Sequence, residues 1–135
     1  MEDLLVKKKP KILIIDDEKD ICVYTQSILE RTGKFETLTT TSASEGIALA
    51  IKDPPDLILL AIMMTEMDGA EVAEQLQANP GTRGIPIVFV TALVDQKDIK
   101  ESHGLIGGHY FIRKPAKKEE LIACIESLFP ETAAH

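Results

Sequence analysis

Three acids in a row, Asp16-Asp17-Glu18, follow directly on the apolar run Ile12-Leu13-Ile14-Ile15. Adjacent carboxylates repel one another unless a positive charge stands between them. A hard divalent ion such as Mg²⁺, held through one or two carboxylates plus waters, supplies that charge. The same acids equally suit the positive end of a helix starting near Lys19. Thr91 ends another apolar run, Ile85 to Val90, and Lys114-Pro115 closes a third, His109 to Ile112. Alone, the threonine reads as a turn cap and the lysine as a solvated cation. Placed opposite two acids, the lysine becomes their partner. A fourth run, Leu57-Ile58-Leu59-Leu60, ends in Ala61, which offers no reactive group.

The segments around these residues predict how they are brought together. The runs at 12–15, 57–60, 85–90 and 109–112 read as buried strands, and Phe35 to Thr40, which mixes polar with β-favouring residues, reads as a half-exposed edge strand. Helical spacing follows each strand. Ile21, Tyr24 or Thr25, Ile28 and Leu29 form one stripe that stops near Gly33. Ser42 with Glu45, and Asp68 with Glu71, are capping-box signatures for the next two helices, the second of which breaks at Asn79-Pro80-Gly81. The fourth helix, between Val94 and Gly104, is weakly patterned and expected to be short or mobile, whereas Leu121, Cys124, Ile125 and Leu128 give a clear final helix.

Alternation of five strands with five helical segments implies right-handed crossovers and therefore a parallel sheet covered on both faces. The expected fold is a doubly wound, flavodoxin-like three-layer α/β sandwich with a five-stranded parallel sheet in the order 2-1-3-4-5. In such a sheet the carboxyl ends of the strands share one cleft, so Asp16, Asp17, Ala61, Thr91 and Lys114 converge there.

The 135 residues suit one domain, here 11–129, with a lead-in at 1–10 and a tail at 130–135. With 44% hydrophobic and 27% charged residues the chain has the composition of a folded protein. A formal net charge of -7 argues against a nucleic-acid partner, and the cluster Lys7, Lys8, Lys9 and Lys11 reads as a solvated lead-in. No run approaches the roughly 20 apolar residues of a membrane span, and the N-terminus lacks the order of a signal peptide. A cytoplasmic location and no membrane partner are expected. Cys22 and Cys124 are too few and too distant for a metal site or disulfide framework and are expected to be buried or half-buried thiols.

Residues 11–129 resemble the receiver domains of bacterial two-component response regulators, including the single-domain chemotaxis type. Asp16-Asp17, the run Met63-Met64-Thr65-Glu66-Met67-Asp68-Gly69, Thr91-Ala92 and Lys114-Pro115 carry the resemblance by their order and spacing. It implies that Asp16 and Asp17 are metal-side acids for Mg²⁺, with the Met63 carbonyl as a backbone ligand. Thr91 and Lys114 would contact a phosphoryl group, and Phe111 would be the switch aromatic. An aspartate ending the third strand accepts the phosphoryl group in this family, and that position falls on Ala61. Thr65 stands where proline is usual, and Phe111 where tyrosine is common, with Tyr110 just before it.

A methyl group cannot replace a carboxylate nucleophile, so phosphorylation at the usual site is not expected, and Mg²⁺ should bind weakly for want of a ligand. What remains suits Lys114 better than a metal. Ala61 is readable as a natural loss or as an engineered acceptor-null replacement. The implied function is non-enzymatic signalling through protein contacts. Partners would be a histidine kinase or phosphotransfer protein and an output protein, or a second copy docking through the fourth helix, fifth strand and fifth helix. The output would come from such a partner or from a longer parent chain. A Mg²⁺-dependent phosphohydrolase would want an Asp-x-Asp pair that the chain lacks. A flavin carrier would want a Ser/Thr/Gly-rich cradle where the acids stand.

Overall fold

The computed structural model describes residues 9–92, 105–106 and 109–129. Its centre is a single sheet in the order β2-β1-β3-β4-β6-β5. The strands are β1 (Lys11–Ile15), β2 (Glu36–Thr40), β3 (Leu57–Ala61), β4 (Ile87–Thr91), β5 (Leu105–Ile106) and β6 (His109–Arg113). β2, β1, β3, β4 and β6 are mutually parallel, giving the expected five-stranded order, with β6 as the fifth parallel strand. The two-residue β5 is an addition: it runs antiparallel to β6, pairing Leu105 with Tyr110 and Ile106 with His109.

β3 is apolar throughout, and β1 after Lys11 and β4 before Thr91 are apolar too, because both faces of the sheet are covered. Successive side chains alternate between the faces. Ile12, Ile14, Leu57 and Leu59 join one core with Cys22, Ile28 and Leu29 of α1 (Lys19–Arg31) and Leu121 and Ile125 of α4 (Lys118–Leu128). Leu13, Ile15, Ile58 and Leu60 face the other core, shared with Ile47 and Ala50 of α2 (Ala43–Lys52) and Val72 and Leu76 of α3 (Gly69–Ala78). β2 alternates between exposed and covered positions, as an edge strand must.

Local signals set the helix ends. Ser42 Oγ accepts from the Glu45 amide at the start of α2, and Asp68 Oδ1 accepts from the Glu71 amide at the start of α3. α1 ends in Thr32 and then Gly33, whose φ of 72° lies in the left-handed region that glycine enters without penalty. The fourth helix read from the sequence between Val94 and Gly104 lies outside the described residues.

Candidate functional site

The carboxyl ends of β1, β3, β4 and β6 meet at one end of the sheet. Ile15 is in register with Leu60, so Asp16 and Ala61 leave their strands side by side, and Ala61 in turn pairs with Val90 of β4. Thr91 pairs with Arg113, which places Lys114 one residue beyond.

Asp16 is the anchor of this cleft. One carboxylate oxygen, Oδ1, accepts the Glu18 amide at 2.9 Å, and the other, Oδ2, lies 2.8 Å from Lys114 Nζ. Its main chain is also held, because its N–H donates to Thr40 O and its carbonyl accepts from Cys22 Sγ at 3.2 Å. The Asp16 side chain is only 4% exposed and that of Lys114 only 16%, so the pair is shielded from solvent. Glu18 stands further out, with Oε2 3.8 Å from the same ammonium. The Lys114 amide donates to Thr91 O at 2.9 Å, and the Lys114-Pro115 peptide is cis. Beyond it, Tyr24 Oη of α1 donates to Ala116 O at 3.1 Å and ties down the loop that leads into α4.

Asp17 turns elsewhere. Its Oδ2 accepts the Thr65 amide at 3.0 Å, linking the β1–α1 loop to the β3–α3 loop. Ala61 is 2% exposed and ends β3 alongside the strand end that leads into Asp16. The turn after it is tight: the Gly69 amide donates to Ile62 O at 2.6 Å, and a Cβ on Gly69 would lie 2.3 Å from Ala61 O. Only glycine leaves room for that approach.

Of the residues singled out from sequence, Asp16 and Lys114 are therefore in direct contact, and Thr91, buried, supplies a main-chain acceptor to the lysine. Met63 lies at the rim with its side chain 65% exposed. Phe111 is set apart, on the α2–α3 side of the sheet, stacked on Phe89 with ring centroids 5.3 Å apart.

The donor set fits a divalent cation poorly. Asp16 already faces an ammonium, Asp17 already accepts an amide, and among the described residues no three His, Cys, Asp or Glu side chains gather as a cation cage. Lys114 supplies positive charge beside Asp16 and, at 3.8 Å, Glu18.

Two contacts had no signal in residue spacing. The Thr65 amide reaches Asp17 through the backbone, which any residue type provides. Glu66 reaches across to α2, where its carboxylate accepts from Ser42 Oγ at 3.1 Å, Ser44 Oγ at 2.5 Å and the Ser44 amide at 3.3 Å. The Ser44 hydroxyl and amide hold that carboxyl below its ordinary 4.5. Beneath the cleft, burial pushes the Cys22 thiol up to about 11, with the Asp16 charge adding to the effect.

The sequence profile of the response regulator receiver domain matches residues 12–126. The chain is 32% identical over 123 residues to the DNA-binding dual master transcriptional regulator RpaA of Synechocystis, covering 91% of this chain and 50% of that protein. It is 35% identical to response regulator PleD of Caulobacter vibrioides over 87% of this chain and 26% of that one, so it spans half or less of these relatives. Against Protein PilH of Pseudomonas aeruginosa the identity is 30%, covering 87% of this chain and 96% of that protein. Among solved structures, a CheY-like response regulator receiver domain protein from Methanospirillum hungatei superposes with a TM-score of 0.76 at 26% identity, covering 94% and 98% of the two chains. The N-terminal domain of a response regulator receiver protein from Methanoculleus marisnigri gives 0.67 at 33% identity, covering 89% and 96%. Matching profile, sequence and fold from β1 to α4, the chain belongs to the response regulator receiver domain family of two-component signalling.

Proposed function

We propose that this receiver domain signals through protein contacts and takes no phosphoryl group at the end of β3. One observation carries the reading: the residue that ends β3 beside the Asp16–Lys114 pair is alanine. An acyl phosphate forms by attack of a carboxylate oxygen on phosphorus, and a methyl has no lone pair to offer. Ala61 accordingly occupies the acceptor position, and Lys114, freed from a phosphoryl partner, neutralises Asp16. Mg²⁺ binding is weak because two of its acids are engaged and the third is missing.

On this reading the chain is not an enzyme. It works in the cytoplasm and meets a histidine kinase or phosphotransfer protein, an output protein, or a second copy of itself, without nucleic acid or membrane. This chain covers only 50% of RpaA, so the DNA binding named for that protein is not carried over to it. A second reading has support in the retained Asp16, Asp17, Thr91 and Lys114: an engineered acceptor-null replacement in an otherwise ordinary receiver.

Incubation with a small-molecule phosphodonor and Mg²⁺, followed by intact mass, tests both. The chain as it stands gains no phosphoryl mass; an adduct on it would overturn the proposal. Rapid acceptance by Ala61→Asp favours the engineered reading, whereas refusal by that variant favours long drift. The same variant places a carboxylate about 4 Å from others, a repulsion of roughly 1 to 4 kcal/mol. Its Tm should fall without Mg²⁺ and recover in part with it.

A further inference from the structure

We propose that Glu66 is a latch that ties the β3–α3 loop to the N-terminus of α2 and so holds the rim of the cleft in one conformation. Its meaning rests on the reading of a cleft that works without a phosphoryl group; the contact itself does not.

The loop from Ile62 to Asp68 leaves the strand that ends in Ala61 and has to be placed by its own contacts. It has an anchor on each side. Towards β1, the Thr65 amide donates to Asp17 Oδ2 at 3.0 Å. Towards α2, the next residue's carboxylate receives Ser42 Oγ, Ser44 Oγ and the Ser44 amide. The first amides of a helix have no partner within it, and the helix dipole places partial positive charge there. Ser42 already satisfies the Glu45 amide, and Glu66 satisfies the Ser44 amide left over. A carboxylate from 22 residues away thus completes the cap of α2, and α2 in turn fixes the loop. Both Glu66 oxygens are used, Oε1 on Ser42 and Oε2 on Ser44, so the side chain is held as a fork. The direction of its acidity agrees, since the Ser44 hydroxyl, its largest cause, favours the charged form.

A loop pinned at Thr65 and Glu66 presents Met63, strongly exposed, from a fixed frame. In a receiver whose cleft is not reshaped by a bound group, such a frame gives a partner a single surface to meet, with less ordering left for the moment of binding.

Amide hydrogen exchange on the full chain, read by mass spectrometry with resolution over residues 40–48 and 60–70, tests the latch. Glu66→Ala should speed exchange about tenfold at the Thr65 amide and its loop neighbours, and at the Ser44 amide. The Thr65 amide is the informative one, because its own partner, Asp17, is untouched. Glu66→Gln, which keeps the shape but loses the charge, should fall between, and Ser44→Ala should accelerate the same amides to a smaller extent. Unchanged exchange at Thr65 in Glu66→Ala would overturn the latch. So would equal acceleration through β4 and α4, which marks loosening of the whole fold instead of release of a loop. Neither result bears on whether the chain accepts a phosphoryl group, which the mass test decides separately.

Discussion

Asp16 and Lys114 show how little freedom a shielded charge has. Truncating the lysine leaves a carboxylate that is nearly out of reach of water, so Lys114→Ala should cost roughly 3 kcal/mol in urea unfolding, at the lower end for broken buried pairs because the ammonium is partly wet. Asp16→Asn with Lys114→Met should cost markedly less than Lys114→Ala alone, and equal losses would mean the pair is not coupled. Cys22 gives a second measurement. With its thiol pushed up to about 11, only about one molecule in a thousand carries the thiolate at pH 8. Cys124 is raised to about 11 as well, by burial. Iodoacetamide at pH 8 should therefore label the native chain slowly at both positions and the urea-unfolded chain quickly; fast native labelling would contradict the burial of these thiols. At this scale, sequence reading found the residues that end apolar strands, because the sheet itself brings strand ends together. It did not find Glu66 or the Thr65 amide. Their contacts run between loops, and neither hydrophobic period nor motif spacing records a loop's path.

The elements were more legible than the contacts between them. Ser42 and Asp68 cap α2 and α3 through their side chains, although Glu45 accepts from Thr40 Oγ1 instead of closing a capping box on Ser42, and the polar-apolar mixture of 36–40 is an edge strand. β5 escaped notice because two apolar residues beside Gly104, Gly107 and Gly108 fall below the length at which alternation can be read. The turn between β3 and α3 carries the sharpest elemental constraint. Gly69→Ala sets a Cβ against the Ala61 carbonyl, a backbone atom with nowhere to retreat. The expected loss is about 3 kcal/mol in thermal or urea unfolding, the upper part of the range for overpacking. Gly84, where a Cβ meets nothing within 4 Å, is the control and should tolerate alanine with little change.

At the scale of the whole molecule, one sheet divides two cores and belongs to both. Leu59 and Leu60 are neighbours in β3 that face opposite sides, and each is buried. Leu59→Ala and Leu60→Ala should each lower stability by about 2–5 kcal/mol while leaving a single unfolding transition, seen alike by circular dichroism and tyrosine fluorescence. Two separated transitions would show that the layers fold independently. The layered plan was readable from alternation of strand and helix patterns, since burial on both faces leaves uninterrupted apolar runs; which helices share a core follows only from topology. The Asp16–Lys114 pair has one more consequence, for descent. Two charges that cancel in a closed space constrain each other's inheritance: a lineage that discards the lysine first strands a carboxylate, and one that discards the aspartate first strands an ammonium. Among relatives with alanine at this strand end, the two positions should persist together or vanish together, a correlated drift.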